Sequence, residues 1–571
     1  MRKTKVVLAK VLTAAMVISS FAGVQGITSE AAAKPKLSKK SVSITVGKTK
    51  KITVKNAKKY KVSWKMKSKK IASFKKSGKY AVKVKAKKAG KTTLTATIKK
   101  GKKTKKLVCK ITVKKNSPKV TKTPVNTPTT SPSNVPKTTE VPTVKPTATA
   151  TAKPQDTTPA MKEIFKGVID NVGTCLTYNQ TWNNRKEMQD VSTMEFVDKN
   201  FNSFTLENEM KPDSMLNKHN MISVADAKAK GYVISDDYKE SEVPELTLET
   251  IDGVLAIAKQ HNIRMRAHTL MWHQQTPTWF FKKNYDDNEA VVDEATMNAR
   301  LEFFVRTIMR HTMQKEKELT GEVGSIVYAW DVLNEYIHRS NAAAATTWVS
   351  VYGDMGLKPT YVKAAFEYAY DELKKENVQD KVTLFYNDYD TYFSVDDELA
   401  LISYINEGEK AKICGGIGMQ SHVDIKRPTL EEYGNALKAF INAGLEVQIT
   451  ELDITINFDT DETDGRTPTY AYKNEKETDA DQAAFTKDFI KQIVDIQKNL
   501  QKNRDKNKSP KGITGITVWG ISDQTSWRGS CKPLFFTRKN VRVKDETTGK
   551  YKTVYTYVPK KSYEAMIEAL K

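Results

Sequence analysis

Eight times between residue 160 and residue 571, a short apolar run of strand length gives way to a longer stretch with helical periodicity. Few architectures accept that alternation at that count. The runs cover 170–175, 201–208, 263–268, 326–335, 382–388, 416–422, 447–453 and 513–520, and helix-like segments such as 248–261, 293–311, 360–375, 429–443 and 481–500 lie between most of them. Strands that alternate with helices build a parallel sheet covered by those helices, and eight such units are the number that closes it into a (β/α)8 barrel. The expected class is therefore α/β.

The strand ends share a second regularity. Most finish in polar or aromatic residues: Glu207 and Asn208, His268, Asn334 and Glu335, Asn387 and Asp388, Gln420 and His422, Glu451 and Asp453, Trp519. In a barrel of this kind the C-terminal rim holds the active site, and one polar strand end is only a loop start. Recurrence on strand after strand brings carboxylates, amides, imidazoles and indoles to one rim. Gly415-Gly416-Ile-Gly418 lacks the spacing of a phosphate loop, and neither a His-Glu-x-x-His zinc motif nor a Gly-x-Ser-x-Gly elbow occurs. His268 and His273, five apart where a strand passes into a loop, do not read as a zinc pair. What remains is two carboxylates on different strands among tryptophans and amides. That inventory suits sugars, whose ring faces stack on aromatics and whose hydroxyls pair with amides and carboxylates. Neither a metal nor a cofactor is expected.

Ahead of this region the chain changes character. The protein carries +28 overall, yet Lys34 to Lys115 holds 32 lysines with no arginine and no acid, and the stretches on either side add +3 each. Residues 160–571 are thus left with −10. Between Ser41 and Lys115, Val42, Ile44 and Val46, Ile52 and Val54, Tyr80, Val82 and Val84, and Leu94, Ala96 and Ile98 alternate with lysine and threonine. Runs of period two, broken at Gly47, Gly78, Gly90 and Gly101, predict a small antiparallel sandwich with lysines outside. A nucleic-acid binder would use arginine forks and stacking aromatics. Here there is no arginine, and Tyr60, Trp64, Phe74 and Tyr80 fall largely at core parity, so nucleic acid is not the expected partner. Point-charge attraction to an anionic cell-wall polymer or an acidic polysaccharide is preferred, with a purely solubilising coat as the alternative. Residues 117–159, rich in Thr, Pro, Ser and Val, cannot bury a core and form an extended spacer. At the start, a basic head (Arg2, Lys3, Lys5, Lys10), an apolar run from Val11 to Val24 and Ala31-Ala32-Ala33 describe a secretory signal peptide over 1–33, with an uncleaved anchor as the alternative. No other segment has the apolar length of a membrane span. The product is expected to be secreted or held at the cell surface. Four cysteines, Cys109, Cys175, Cys414 and Cys531, do not make a disulfide framework, and alternation places Cys109 in a core.

Five motifs carry a resemblance: Trp330-Asp-Val-Leu-Asn-Glu335, Ile449-Thr-Glu451-Leu-Asp453, Thr205-Leu-Glu-Asn-Glu-Met-Lys211, Arg266-Ala-His268-Thr-Leu-Met-Trp272-His273 and Val518-Trp519-Gly-Ile-Ser-Asp-Gln-Thr-Ser-Trp527-Arg. Together and in this order, residues 160–571 resemble a family 10 glycoside hydrolase, an endo-β-1,4-xylanase, and residues 34–116 resemble a bacterial immunoglobulin-like domain of group 2. The first resemblance implies hydrolysis of xylan and xylo-oligosaccharides with retention, Glu335 as general acid/base and Glu451 as nucleophile. Retention calls for carboxyls roughly 5–5.5 Å apart, and the acid must keep its proton near neutral pH, which burial and the charge of Glu451 favour. The resemblance further implies that Asn334 holds the sugar 2-hydroxyl, that His422 and Asp453 orient Glu451 with Gln420 beside it, and that Lys211, His268 and Trp519 shape the subsite at the cleaved bond. Glu207, Asn208, Trp272, Gln275 and Trp527 would bind the next sugar on the non-reducing side, and Tyr389 would form a platform beyond the cleavage point.

Residues 217–245, 455–480 and 538–557 are polar enlargements that either border the cleft or are functionless surface insertions. Another β-1,4-glycanase and an inactive polysaccharide-binding protein are the rival readings. The presence of both Glu335 and Glu451 argues against the second.

Overall fold

The computed structural model describes residues 35–39, 41–57, 60–100, 103–114, 158–180, 185–339, 345–456, 478–503, 511–544 and 549–571. The expected signal peptide, nearly all of the spacer and residues 457–477 of one enlargement lie outside the described residues. The chain divides into two compact units, Met1–Ala148 and Thr149–Lys571.

In the larger unit eight strands, β1 (Asn171–Leu176), β2 (Ser203–Leu206), β3 (Arg264–Trp272), β4 (Val327–Asn334), β5 (Thr383–Asp388), β6 (Gly416–Met419), β7 (Glu446–Thr455) and β8 (Gly512–Val518), pair in parallel with their sequence neighbours. β8 pairs with β1, so the sheet closes into the expected barrel. The strands are buried along almost their whole length, as both faces of a helix-covered parallel sheet require. Their pattern is consequently a continuous apolar run rather than an alternation. The helices begin where capping chemistry allows. Asp293 accepts from Thr296 N at 2.8 Å to start Glu294–Thr320, which ends at Gly321 with φ +88°. Thr429 and Glu432 form a reciprocal capping box on Leu430–Asn442, and Thr478 and Asp481 do the same for Asp479–Lys502. Each such cap contributes about 1 kcal/mol to a helix end. The helix expected at 293–311 runs nine residues further because no breaker precedes Gly321.

Two departures from the expected strands matter for function. The run at 263–268 continues through Trp272, so that His268 and Trp272 both stand on β3. The run at 416–422 is interrupted at Ser421, whose φ is +62°, and His422–Asp424 forms a separate short strand beside the end of β7. This register puts His422 directly opposite Asp453. The enlargements at 217–245 and 538–557 are not formless. The first holds the pairing of Leu216–Ser223 with Glu242–Leu246, and the second most of the hairpin Phe536–Lys544/Tyr551–Pro559.

The smaller unit has two four-stranded sheets. One orders Lys36–Leu37, Thr49–Lys55, Ala81–Ala86 and Ala72–Gly78, and the other orders Ser41–Thr45, Lys103–Lys114, Gly90–Lys100 and Lys61–Met66. Ile52, Val82, Val84, Leu94, Cys109 and Ile111 fill the core between them, with Trp64 and Phe74 partly buried against it. The expectation of a wholly antiparallel sandwich needs one correction: Ser41–Thr45 runs parallel to the last residues of its partner strand, Lys103–Lys114. Period-two patterning fixes which face a residue takes and not the direction of its neighbour. All four cysteines are buried and free. Among the described residues, no helix is long and apolar enough to cross a membrane.

Candidate active site

Glu335 follows the last residue of β4 and Glu451 stands in the C-terminal half of β7, both buried. Glu335 follows directly on β4 with φ +58°, a left-handed conformation costing a non-glycine residue about 1 kcal/mol. Its amide holds that turn by donating to Asn387 O at 2.8 Å. The two carboxylates are joined by a chain of side-chain amides. Gln420 Nε2 donates to Glu335 Oε1 at 3.0 Å and to Asn334 Oδ1 at 3.2 Å, while Asn387 Nδ2 donates to Asn334 Oδ1 at 2.9 Å and to Glu451 Oε1 at 2.8 Å. Trp272 Nε1 completes the set on Glu335 Oε2 at 2.8 Å.

The surroundings drive the two acidities apart. Burial, followed by the negative charges of Asp388 and Glu451, raises Glu335 to about 7, against the opposing bonds from Gln420 and Trp272. Burial would raise Glu451 as well, but the bond from His422 and the electrostatic influence of His268, His422 and Lys211 overcome it and bring the carboxyl down to about 2. His422 is itself lifted to about 9: burial opposes its charge, and Asp453 and Glu451 outweigh burial. Its Nδ1 lies 2.9 Å from Asp453 Oδ2 and its Nε2 3.2 Å from Glu451 Oε2. Near neutral pH the site therefore presents one carboxyl that still holds its proton part of the time and one carboxylate, the division of labour an acid/base pair requires.

The other expected residues gather on the same rim. On β2 and its loop, Glu207 Oε2 accepts from Gln180 at 2.9 Å and Arg185 at 2.7 Å, and Asn208 Oδ1 accepts from Lys211 Nζ at 3.3 Å and Gln275 Nε2 at 3.5 Å. Lys211 Nζ also lies 4.8 Å above the Trp272 ring. His268 Nδ1 is 2.9 Å from Asp331 Oδ2, and its ring meets Trp519 edge-on at 5.8 Å. Trp527 donates through Nε1 to Asp453 Oδ2 at 3.0 Å yet leaves its side chain 45% exposed, as a stacking surface must. Tyr389, half-buried, lies tilted over His338 at 4.3 Å.

Two expectations change in detail. Gln420 does lie beside Glu451, its carbonyl accepting from that amide at 2.9 Å, but its side chain serves Glu335. The charge expected to sustain the proton on Glu335 was that of Glu451, but Asp388 acts more strongly. Asn387 is the residue that the sequence reading passed over. It was visible as one of the polar strand ends, but only the closure of the barrel, which sets β5 beside β4 and a single strand, β6, between β5 and β7, makes it the bridge between Asn334 and Glu451. His268 and His273 do not form a pair: His268 is engaged by Asp331, and both ring nitrogens of buried His273 lack hydrogen-bond partners. Among the described residues, one set of side chains brings metal-ligand atoms together, His338, Asp388 and Glu398, within 4.8 Å of one another.

The sequence profile described as Glycosyl hydrolase family 10 matches residues 160–555. Endo-1,4-beta-xylanase A of Butyrivibrio fibrisolvens is 40% identical over 356 residues, covering 62% of this chain and 76% of that protein. Endo-1,4-beta-xylanase B of the same organism is 32% identical, covering 59% of this chain and 46% of its own length. Among solved structures, the N-terminal endo-1,4-beta-D-xylanase 10B of Clostridium thermocellum complexed with xylohexaose matches with a TM-score of 0.50 at 27% identity, covering 72% of this chain and 68% of that one.

Proposed function

This chain belongs to glycosyl hydrolase family 10 and is an endo-1,4-β-xylanase, and from that premise we propose that it cleaves internal β-1,4-xylosidic bonds by double displacement, with Glu335 as acid/base and Glu451 as nucleophile. The observation that carries this reading is the split in acidity between two carboxyls linked through one amide chain, about 7 for Glu335 and about 2 for Glu451. Glu335 donates its proton to the leaving oxygen while ionised Glu451 attacks the anomeric carbon from the other ring face. Forming the glycosyl-enzyme consumes the charge of Glu451. Glu335, now ionised, takes a proton from a water whose oxygen attacks the anomeric carbon and displaces the Glu451 carboxylate, which releases the sugar with its original anomeric configuration.

Asn334, fixed between Gln420 and Asn387, presents its amide to the sugar 2-hydroxyl. His422 and Asp453 hold Glu451 ionised. Lys211, His268 and Trp519 form the subsite at the scissile bond, and Glu207, Asn208, Trp272, Gln275 and Trp527 form the next. Tyr389 receives the sugar beyond the cut. In this reading the protein is secreted, its first 33 residues are a signal peptide, and the lysine-coated module holds the enzyme near an anionic cell-wall polymer or an acidic xylan.

Proton NMR of products released from arabinoxylan and glucuronoxylan tests the proposal. The first product is expected as the β-anomer, with internal cleavage and with little release from carboxymethyl cellulose. An initial α-anomer, or faster attack on the cellulose derivative, would refute it.

A further inference from the structure

The loop that leaves Glu335 is tied down by a carboxylate to which the chemistry proposed above gives no contact with the substrate. Asp388, fully buried at the end of β5, accepts from His338 Nδ1 at 3.0 Å and Tyr389 N at 2.8 Å on Oδ1, and from Ile337 N at 3.2 Å and the Tyr386 hydroxyl on Oδ2. Four donors fill the acceptor capacity of an ionised carboxylate. Against this group, from the helix Val395–Ile405, comes Glu398, also fully buried. Its Oε1 accepts from Ser394 Oγ at 3.1 Å, its Oε2 makes no hydrogen bond of good geometry, and the Tyr386 hydroxyl also approaches the carboxyl.

A second ionised carboxylate here would combine an unsatisfied buried charge with repulsion from Asp388, a cost of several kcal/mol. A proton on Glu398 removes the charge and the repulsion, and the Tyr386 hydroxyl is the neighbour that can pair with the acid. A divalent cation among His338, Asp388 and Glu398 is the other way to neutralise the cluster, but Asp388 could ligate it only by giving up donors it already holds. The proton is therefore the better solution.

We propose that Glu398 is kept as a neutral carboxylic acid, and that Asp388, left as the single buried anion of the cluster, is a positioning residue. It clamps the turn after Glu335 and sets the electrostatic field in which Glu335 works. The proposal rests on the assignment of Glu335 as acid/base. Every titratable group facing Asp388 is consistent with it. On β5 and its loop are Tyr386 and Asp390; Tyr386 is pushed up by burial and stays protonated. On the loop after β4, His338 is raised: burial opposes its charge, but its bond to Asp388 prevails. Arg339 lies in the same loop, and Asp397 beside Glu398 on the helix. His273, after β3, is lowered by burial to about 4 and is neutral. Burial and then Asp388 push Glu398 far up.

The test uses the full chain. In Asp388→Asn the alkaline limb of kcat/KM on xylohexaose should move down by about 1 pH unit, because the anion that favours the proton on Glu335 is gone. A merely structural loss would lower the rate and leave the limb in place. Glu398→Gln, whose amide is as neutral as the acid and can donate as it does, should keep the limb and the melting temperature of wild type. The infrared difference between wild type and Glu398→Gln at pH 8 should show the loss of a protonated carboxyl stretch, a readout that survives even if Asp388→Asn does not fold. An unmoved limb in Asp388→Asn, a shifted limb in Glu398→Gln, loss of a carboxylate stretch, or a stoichiometric divalent ion in the purified wild type that Glu398→Gln lacks would each overturn the proposal. Failure of the acid/base reading itself would appear separately, as xylan hydrolysis undiminished in Glu335→Gln.

Discussion

Replacing Glu335 by Gln should make the catalytic unit more stable, by an amount set by pH. Gln copies the shape and neutrality of the protonated acid and cannot ionise. In the folded protein Glu335 titrates at about 7 against an ordinary 4.5, so the fold binds this proton more tightly than the unfolded chain does. The stability associated with the proton is fully present below about pH 4.5 and is lost as pH rises through about 7. That gap corresponds to about 3 kcal/mol. Relative to wild type, Glu335→Gln should gain almost nothing at pH 4.5 and about 3 kcal/mol at pH 8 and above. Glu451→Gln should show the opposite sign. The carboxyl of Glu451 lies at about 2 in the fold, so its contribution is present above about pH 4.5 and lost as pH falls through about 2. Its replacement should therefore remove about 3 kcal/mol at neutral pH. Urea unfolding followed by tryptophan fluorescence between pH 4.5 and 9 reads both differences, and pH effects of groups not coupled to the replaced carboxyl cancel between each variant and wild type. A difference for Glu335→Gln that stays constant with pH, or equal signs for the two variants at pH 8, would refute the assignment of opposite protonation states.

Glu335→Gln should slow xylan hydrolysis far more than hydrolysis of an aryl xylobioside with a good leaving group, because only the first needs protonation; equal losses in kcat/KM would contradict the role. Asn387→Ala removes a charge-assisted bond to Glu451 and frees the Asn334 amide, so kcat/KM should fall about 10- to 100-fold, as a loss of about 1.5–3 kcal/mol requires. His422→Gln withdraws the main influence that lowers Glu451, and the acid limb of the pH profile should move upward from its low value. Deleting residues 34–116 should abolish retention on glucuronoxylan or isolated cell wall at low salt, and raising salt should do the same to the intact chain; retention unchanged by the deletion would disprove the docking role of the lysines.

Much of the site was legible because its residues stand at strand ends. A barrel strand places its last residues on one rim whatever the helices do, so Glu335, Glu451, His268 and Trp519 could be assigned to a common face from their positions in the eight runs. The contacts that went unread act sideways. Asn387 bridges two strands that are neighbours or near-neighbours only around the barrel, and Gln420 reaches Glu335 across a distance of 85 residues. Asp388 and Glu398 belong to a strand end and a helix that sequence treats as ordinary polar positions. The split of the sixth run at Ser421 was equally hidden, since φ +62° at a serine has no compositional mark.

Taken alone, the sequence determined the division into a lysine-coated all-β unit and an acidic barrel, the count of eight strands, the rim that carries the chemistry and the two carboxylates. Those depend on local periodicity and on where each run stops. The tertiary structure decided which carboxylate keeps its proton and which group keeps it there. Protonation is set by burial and by charges brought together from β3, β4, β5, β7 and the short strand at His422, and no single segment contains that sum.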